Sequence, residues 1–158
     1  MPNPILRGTQ SVVPSMTVND GKAAIEFYKK AFGAELQFVM EDPTSGKIAY
    51  AEIHVGNSYF TVNDEVPQMG ALSPITRGGS TGGINLYVED CDATFRNAIA
   101  AGATAKMPPV DMFWGDRMGA IDDPFGHRWG ISTKKEELTK QEIEKRRDAM
   151  MKSMSNKA

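Results

Sequence analysis

Cysteine is almost absent from the sequence, which has only Cys91 among its 158 residues. An intramolecular disulfide and a cysteine-based zinc site both need further cysteines, so both are excluded. The acidic neighbours Asp90 and Asp92 disfavour a thiolate at this position, which argues against a catalytic cysteine. A free thiol in a chain without disulfides fits a reducing compartment, and we expect the protein to be cytoplasmic.

Long apolar runs and an excess of either charge are also missing. No stretch approaches the roughly 20 apolar residues of a membrane span, and the opening MPNPILRGTQ lacks the apolar segment of a signal peptide. The 18 basic and 20 acidic residues leave a net charge of -2, which gives no reason to expect nucleic acid. The sequence therefore predicts no membrane and no nucleic acid as partner.

What the sequence does contain is an internal repeat, which is the first feature to settle before a fold is assigned. Its two halves match in a common order, although each single match is weak. The separation is 69 between Gly33 and Gly102. The matches at a separation of 70 are Val18 with Val88, Asp20 with Asp90, Ala23 with Ala93, Gly56 with Gly126 and Tyr59 with Trp129.

Each half of the repeat has the pattern of one strand, one helix and three further strands. Asp20 and Asp90 precede segments with helical spacing of apolar residues, and Gly33 and Gly102 follow them as stop signals. The sequence therefore predicts an α+β fold in which two βαβββ modules form a curved mixed sheet. The predicted boundaries are a single domain at 1–134 with modules at about 10–64 and 83–133, and a helical tail at 135–158.

Each predicted module covers one face of its sheet with a helix and leaves the other face open. Pairing the halves would bury sheet edges and form a concave cavity. Side chains alternate along a strand, so Tyr50, Glu52 and His54 are predicted to share one face. His54 is then either a general base oriented by the carboxylate of Glu52 or a hydrogen-bonded histidine on a half-buried sheet.

The densest group of aromatic and charged residues lies at 112–130, with the sequence MFWGDRMGAIDDPFGHRWG. Trp114 either stacks on an aromatic or cationic ligand or packs in the core or a dimer contact. Asp116 and Arg117 are adjacent and should face opposite sides of a strand, so we predict separate partners for them. Arg117 binds either an acidic group of a ligand or a structural carboxylate. His127, at the exit of the turn DPFG, is predicted to be structural.

Three segments resemble the vicinal oxygen chelate superfamily, which includes glyoxalase I, bleomycin-resistance proteins and extradiol dioxygenases. The segments are VNDGKAAIEFYKKAFGAEL at 18–36, LYVEDCDATFRNAIAAGATAKMPPVDMFWGDRMG at 86–119 and DPFGHRWGIST at 123–133. Within the superfamily they look closest to the small PhnB-like proteins, for which FWGDR and DPFGHRW are specific. The resemblance covers about Val12 to Leu138, and it implies paired βαβββ modules and a homodimer.

The resemblance also implies where a metal would bind. Metal enzymes of the superfamily carry His, Gln or Glu ligands on the first and last strands of each module. The matching positions fall near Val13, Phe60, Gly83 and Gly130, and none of these side chains can coordinate a divalent metal. A shift of one residue adds only the hydroxyl of Thr61. The usual metal site is therefore predicted to be missing, and we expect no cofactor.

The leading hypothesis is a metal-independent small-molecule binding protein that resembles bleomycin-resistance proteins and takes an antibiotic-like, flat or partly cationic ligand. The predicted ligand-binding residues are Tyr50, Glu52, His54, Phe60, Phe113, Trp114, Asp116 and Arg117. The alternative is a glyoxalase-like lyase or isomerase, or a dioxygenase, with one divalent metal ion at an atypical site. That site would recruit Glu52, His54 and either Asp111 or Asp116, so whether the protein is an enzyme stays open. A third option is an interaction protein that uses its dimer surface and C-terminal helix.

Overall fold

The computed structural model describes residues 10–156. Residues 1–9, examined above for a signal peptide, and residues 157–158 of the predicted tail lie outside this range. The first module consists of β1 (Ser15–Val18), α1 (Gly21–Phe32), β2 (Glu35–Glu41), β3 (Ile48–Val55) and β4 (Ser58–Asp64). After a short helix α2 (Pro74–Arg77), the second module consists of β5 (Gly83–Tyr87), α3 (Cys91–Ala100), β6 (Thr104–Asp111), β7 (Asp116–Asp122) and β8 (Arg128–Lys134).

The two modules have the same topology, which confirms the α+β fold and the βαβββ repeat. Each forms its own four-stranded sheet, in the orders β1-β4-β3-β2 and β5-β8-β7-β6. The first strand of each module pairs in parallel with the last, and the remaining pairs are antiparallel. Within the described chain the modules therefore form two separate mixed sheets.

The helix boundaries follow from the side chains that precede them. Asp20 accepts a hydrogen bond from the backbone N–H of Ala23 at 3.0 Å, and Asp90 accepts one from Ala93 at 2.9 Å. Such carboxylate caps satisfy backbone donors that the first turn leaves without helical partners. Gly33 ends α1 in the left-handed conformation, with φ of 64°, which costs a glycine little.

The last strands of the two modules are 69 positions apart, one fewer than the sequence matches indicate. Ser15 pairs with Thr61, and Asn85, 70 positions after Ser15, pairs with Gly130, 69 positions after Thr61. Trp129 therefore corresponds to Phe60 and not to Tyr59, so the match of Tyr59 with Trp129 is wrong.

One apolar core is shared by both sheets. Phe60 on β4 and Trp129 on β8 lie with ring centroids 5.5 Å apart, and Tyr28 on α1 contacts both, at 5.2 and 5.6 Å. Because side chains alternate along a strand, the neighbours of these core residues point away from the core. Each sheet thus turns its apolar face toward the shared core and its open face away from that core.

A buried carboxylate joins the two modules. Asp123 Oδ2 accepts hydrogen bonds from the Tyr28 hydroxyl at 2.7 Å and from Trp129 Nε1 at 3.0 Å. Its Oδ1 accepts the backbone N–H groups of Phe125 and His127 at 3.0 and 2.9 Å. The His127 ring bonds the carbonyl of Thr17 in the other module at 2.9 Å, so the predicted structural role of His127 is confirmed.

The C-terminal tail is helical, as predicted, and forms α4 (Lys140–Ser155). Thr139 and Glu142 form a reciprocal capping box at its start. None of the α4 side chains is buried, and Arg146 donates two bonds to Glu136 in the segment that precedes the helix, at 3.1 and 2.7 Å. No helix within residues 10–156 is long and apolar enough to cross a membrane.

Candidate functional site

The open face of the first sheet carries the three residues that alternation predicts. Tyr50, Glu52 and His54 point away from the core, because the intervening Ala51 and Ile53 belong to the core. Their opposite partners on neighbouring strands share this face. These partners are Met40 and Phe38 on β2, opposite Tyr50 and Glu52, and Thr61 and Tyr59 on β4, opposite Glu52 and His54.

A carboxylate–imidazole pair lies at the centre of this face. Glu52 Oε1 is 2.8 Å from His54 Nε2, and Glu52 is only 7% exposed. The imidazole also stacks on Tyr59, with ring centroids 5.3 Å apart and planes inclined by 15°. In the tautomer that carries its proton on Nε2, the imidazole donates to Glu52 and leaves Nδ1 as an acceptor. The pair is oriented in the way that proton transfer or polar recognition requires.

Apolar and aromatic groups surround the pair and remain accessible. Phe38 and Met40 are 53% and 52% exposed, and the rings of Phe38 and Tyr50 lie with centroids 6.0 Å apart. Sequence reasoning missed Phe38, Met40 and Tyr59 as members of this face. The signal that would have found them is alternation along β2 and β4, read together with the pairing of those strands against β3.

The open face of the second sheet is built around Asp116, which is 4% exposed. Its Oδ2 accepts hydrogen bonds from the hydroxyl of Tyr87 at 2.7 Å and from Trp114 Nε1 at 3.1 Å. The bond to Asp116 raises the pKa of Tyr87, since it favours the protonated phenol. Phe113 packs edge-on against Trp114, with centroids 4.9 Å apart. Tyr87 was not among the predicted residues, and its own ring is 61% exposed.

Arg117 points to the opposite side from Asp116, as its neighbouring position on β7 predicts. Its guanidinium donates to both oxygens of Asp92 on α3, at 2.6 and 2.9 Å, and to Asp111 at 3.0 Å. These bonds raise the pKa of Arg117, and the guanidinium lowers the pKa of Asp92. With these carboxylates bound, the geometry favours the structural ion pair over recognition of an acidic ligand.

The structure does not bring the eight predicted residues together in one chain. Tyr50, Glu52 and His54 lie on the first open face, whereas Trp114 and Asp116 belong to the second. Phe60 faces the core and also borders a cavity of about 330 Å³ between the modules. That cavity is lined in addition by the N-terminal segment, by Tyr59 and by Tyr87.

The architecture and these segments have close parallels among known proteins. The sequence profile of the Glyoxalase/Bleomycin resistance protein/Dioxygenase superfamily matches residues 10–131. The chain belongs to this superfamily. The resemblance recognised in three sequence segments is thereby confirmed. An uncharacterised protein of Mycobacterium bovis is 38% identical over 134 residues, which cover 83% of this chain and 88% of that protein.

Solved structures of the superfamily fold show the same arrangement of elements. TioX from Micromonospora sp. ML1 is 24% identical, covers 81% of this chain and 98% of its own, and superposes with a TM-score of 0.59. A Bacillus cereus protein described as a putative 3-demethylubiquinone-9 3-methyltransferase, PhnB protein, is 14% identical over 78% of this chain and 99% of its own, also with a TM-score of 0.59. At these identities the likeness establishes the fold alone.

The strand positions that the resemblance assigns to metal ligands hold residues with packing roles in this chain. At Gly130, a Cβ would collide with the amide oxygen of Asn85 and would lie 2.8 Å from Met118 Cε. Phe60 is in the core, and Thr61 takes the corresponding place on the open face. Within residues 10–156, no three His, Cys, Asp or Glu side chains gather closely enough to hold a metal ion.

Proposed function

We propose that the protein binds a small aromatic molecule non-covalently and without a metal ion. The observation that carries this proposal is the open face of the first sheet, where exposed Phe38 and Met40 lie beside the partly buried Glu52–His54 pair. Apolar groups with a few fixed polar atoms are the usual composition of a small-molecule site. Large apolar side chains left exposed together on a sheet are a typical mark of a binding surface.

A second copy of the chain completes the site in this proposal. The two open faces belong to separate four-stranded sheets within one chain. A dimer that sets the first module of one copy against the second module of its partner would oppose the Glu52–His54 face to the Asp116 face. The strands β1 and β5, each at one edge of its sheet, offer the unpaired backbone groups for such a contact.

Metal independence is supported by the packing around Gly130. A carboxylate ligand at this position would need the space that Asn85 and Met118 fill. Recognition of a ligand by ring contacts and by one oriented polar pair requires no metal. The predicted role of Tyr50 and His54 as ligand contacts therefore remains part of the proposal, together with Phe38 and Met40.

The Glu52–His54 pair also supports a second candidate, a glyoxalase-like lyase or isomerase, or a dioxygenase, with an atypical divalent metal site. Metal analysis of the purified protein separates the two candidates. One equivalent of zinc, nickel, iron or manganese, lost in His54→Ala, would favour the enzyme and contradict the binding protein.

The binding proposal is tested with a panel of flat aromatic compounds, whose affinities are measured by calorimetry and by tryptophan fluorescence. Trp129 is buried in the core, so Trp114→Phe shows how much of the signal comes from the second open face. Phe38→Ala removes an aromatic contact and should weaken binding by about tenfold or more. Met69→Ala is the matched control, because Met69 is 83% exposed but lies outside the sheets.

Two results would contradict the binding proposal. One is that no compound of the panel binds; the other is that Phe38→Ala and Met69→Ala bind equally well. The dimer is tested independently by sedimentation of the free protein, and a monomer at all concentrations, with or without ligand, would count against the completed site.

A further inference from the structure

Asp116 differs from Asp92 and Asp122, two other acidic residues of the second module, in how its two carboxylate oxygens are bonded. Asp92 is bonded through both oxygens by Arg117, and Asp122 is bonded through both by Arg128, at 2.7 and 3.0 Å. Unlike these two residues, Asp116 receives two neutral donors on Oδ2, while its Oδ1 is buried and has no hydrogen-bond partner within residues 10–156. A buried carboxylate oxygen without a partner is costly, because it has lost its water and gained nothing in exchange.

The charge of Asp116 is also incompletely balanced. The phenol of Tyr87 and the indole of Trp114 are neutral donors, so they orient the carboxylate without cancelling its charge. Among residues 10–156, the nearest cation is Lys134, whose Nζ lies 3.9 Å from Oδ1, beyond hydrogen-bond distance. The Lys134 side chain is 47% exposed, so it is free to move into solvent when another cation approaches.

Two aromatic rings converge on the same carboxylate. Tyr87 and Trp114 both donate to Oδ2, so their donor atoms are held close together beside the unsatisfied Oδ1. The rings provide π-faces on which an organic cation can pack, and the carboxylate provides the opposite charge. A metal ion would require further oxygen or nitrogen ligands, and a ligand anion would be repelled.

From this geometry we propose that Asp116, Tyr87 and Trp114 form a subsite for a protonated amine. The ammonium group displaces Lys134 and donates to Oδ1, while Tyr87 and Trp114 contact the carbon skeleton that carries it. The inference rests on the proposed function, because it names the class of ligand for the second wall of the same binding surface: a small aromatic amine in its cationic form.

Benzylamine and benzyl alcohol are a suitable pair of probes, because they have nearly the same shape and differ in charge. Both are titrated into the full-length protein at pH 7, and binding is followed by calorimetry and by Trp114 fluorescence. We expect benzylamine to bind at least about tenfold more tightly, the effect of one charge-assisted hydrogen bond. Equal affinities for the two probes would overturn the amine subsite but leave the proposed binding function intact, whereas failure of every neutral and charged compound to bind would refute the binding function itself.

Three variants locate the effect. Asp116→Asn should weaken benzylamine binding far more than benzyl alcohol binding and so remove the preference between the two probes. Asp122→Asn is the matched control, since it removes the same charge from the same face of β7 and should preserve the preference. Lys134→Met removes the competing cation and should tighten benzylamine binding; it also tests the subsite if Asp116→Asn does not fold. An unchanged or weaker affinity for benzylamine in Lys134→Met, or equal weakening of both probes in Asp116→Asn, would overturn the proposal.

Discussion

The bond between Tyr28 and Asp123 offers a direct test of how the two modules are held together. Tyr28 is fully buried, and its hydroxyl donates across the module boundary to Asp123 at 2.7 Å. Tyr28→Phe keeps the ring, with its contacts to Phe60 and Trp129, and deletes only the oxygen. Asp123 Oδ2 then retains the indole of Trp129 as its donor, and one lone pair of a buried carboxylate is left unmatched.

The expected loss of stability is about 1.5–3 kcal/mol, the usual value for a hydrogen bond to a charged group. The value should fall toward the upper end, because water cannot enter beside a ring that is itself in the core. Asp123→Asn should cost more than Tyr28→Phe, since a single amide oxygen cannot replace two oxygens that together accept four hydrogen bonds. Because Tyr28→Phe keeps the ring and its packing, the measured loss comes from the hydrogen bond and not from a cavity in the core.

Urea unfolding, followed by circular dichroism and by the fluorescence of buried Trp129, measures both variants. A change in Tyr28→Phe below about 0.5 kcal/mol, the size of an ordinary surface substitution, would refute the argument. A double-mutant cycle with Trp129→Phe then shows whether the two donors act on Asp123 together.

The same bond has a pH signature. Burial, with the negative charge of Asp123, raises the pKa of Tyr28 well above its usual value of 10.0. A raised pKa favours the protonated phenol in the folded state, so its contribution is fully present below about pH 10 and is lost as the pH rises further. The stability of the wild type should therefore fall more steeply above pH 10 than that of Tyr28→Phe; parallel curves would contradict this reasoning.

Three smaller perturbations test other parts of the structure by the same unfolding assay. Gly130→Ala should cost about 1–3 kcal/mol because its methyl group overpacks the space at Asn85. Gly83→Ala is the control and should be tolerated, since its Cβ would meet its nearest atom at 3.6 Å. Equal losses of stability in the two variants would contradict the crowding at Gly130. Asp20→Ala should cost about 0.5–2 kcal/mol by removing the cap of α1, and no change would show that the cap is dispensable. Arg117→Met should make the free energy of unfolding depend less on pH in acid. The ion pair that lowers the pKa of Asp92 stabilises the fold above about pH 4, and this stabilisation is lost as the pH falls. The same acid dependence in the variant and the wild type would refute this.

Much of the local structure was predictable because its causes are local. The helix starts at Asp20 and Asp90 depend on carboxylates within a few residues of the donors they cap. The shared face of Tyr50, Glu52 and His54 depends only on strand alternation. The opposite directions of Asp116 and Arg117 follow from the same rule, and the superfamily was recognised from three contiguous segments.

Other features of the site depend on contacts that are distant in the sequence. The correspondence of Phe60 with Trp129 is set by strand pairing: Thr61 pairs with Ser15 and Gly130 pairs with Asn85, so the first strands are 70 positions apart and the last strands 69. Phe38 joins the first open face only because β2 pairs with β3 in one register. Tyr87 reaches Asp116 across 29 positions, and no spacing in the sequence marks that bond.

By itself the sequence determined two βαβββ modules, each with one apolar and one open face, since alternation, helical spacing and caps act over a few residues. Tertiary structure alone decided how the modules meet. The ring contacts of Tyr28, Phe60 and Trp129 and the bonds to Asp123 turn the apolar faces of both sheets toward one core. That choice leaves the open face of each sheet outside the core, because a strand that buries one set of side chains must present the alternate set on its other face.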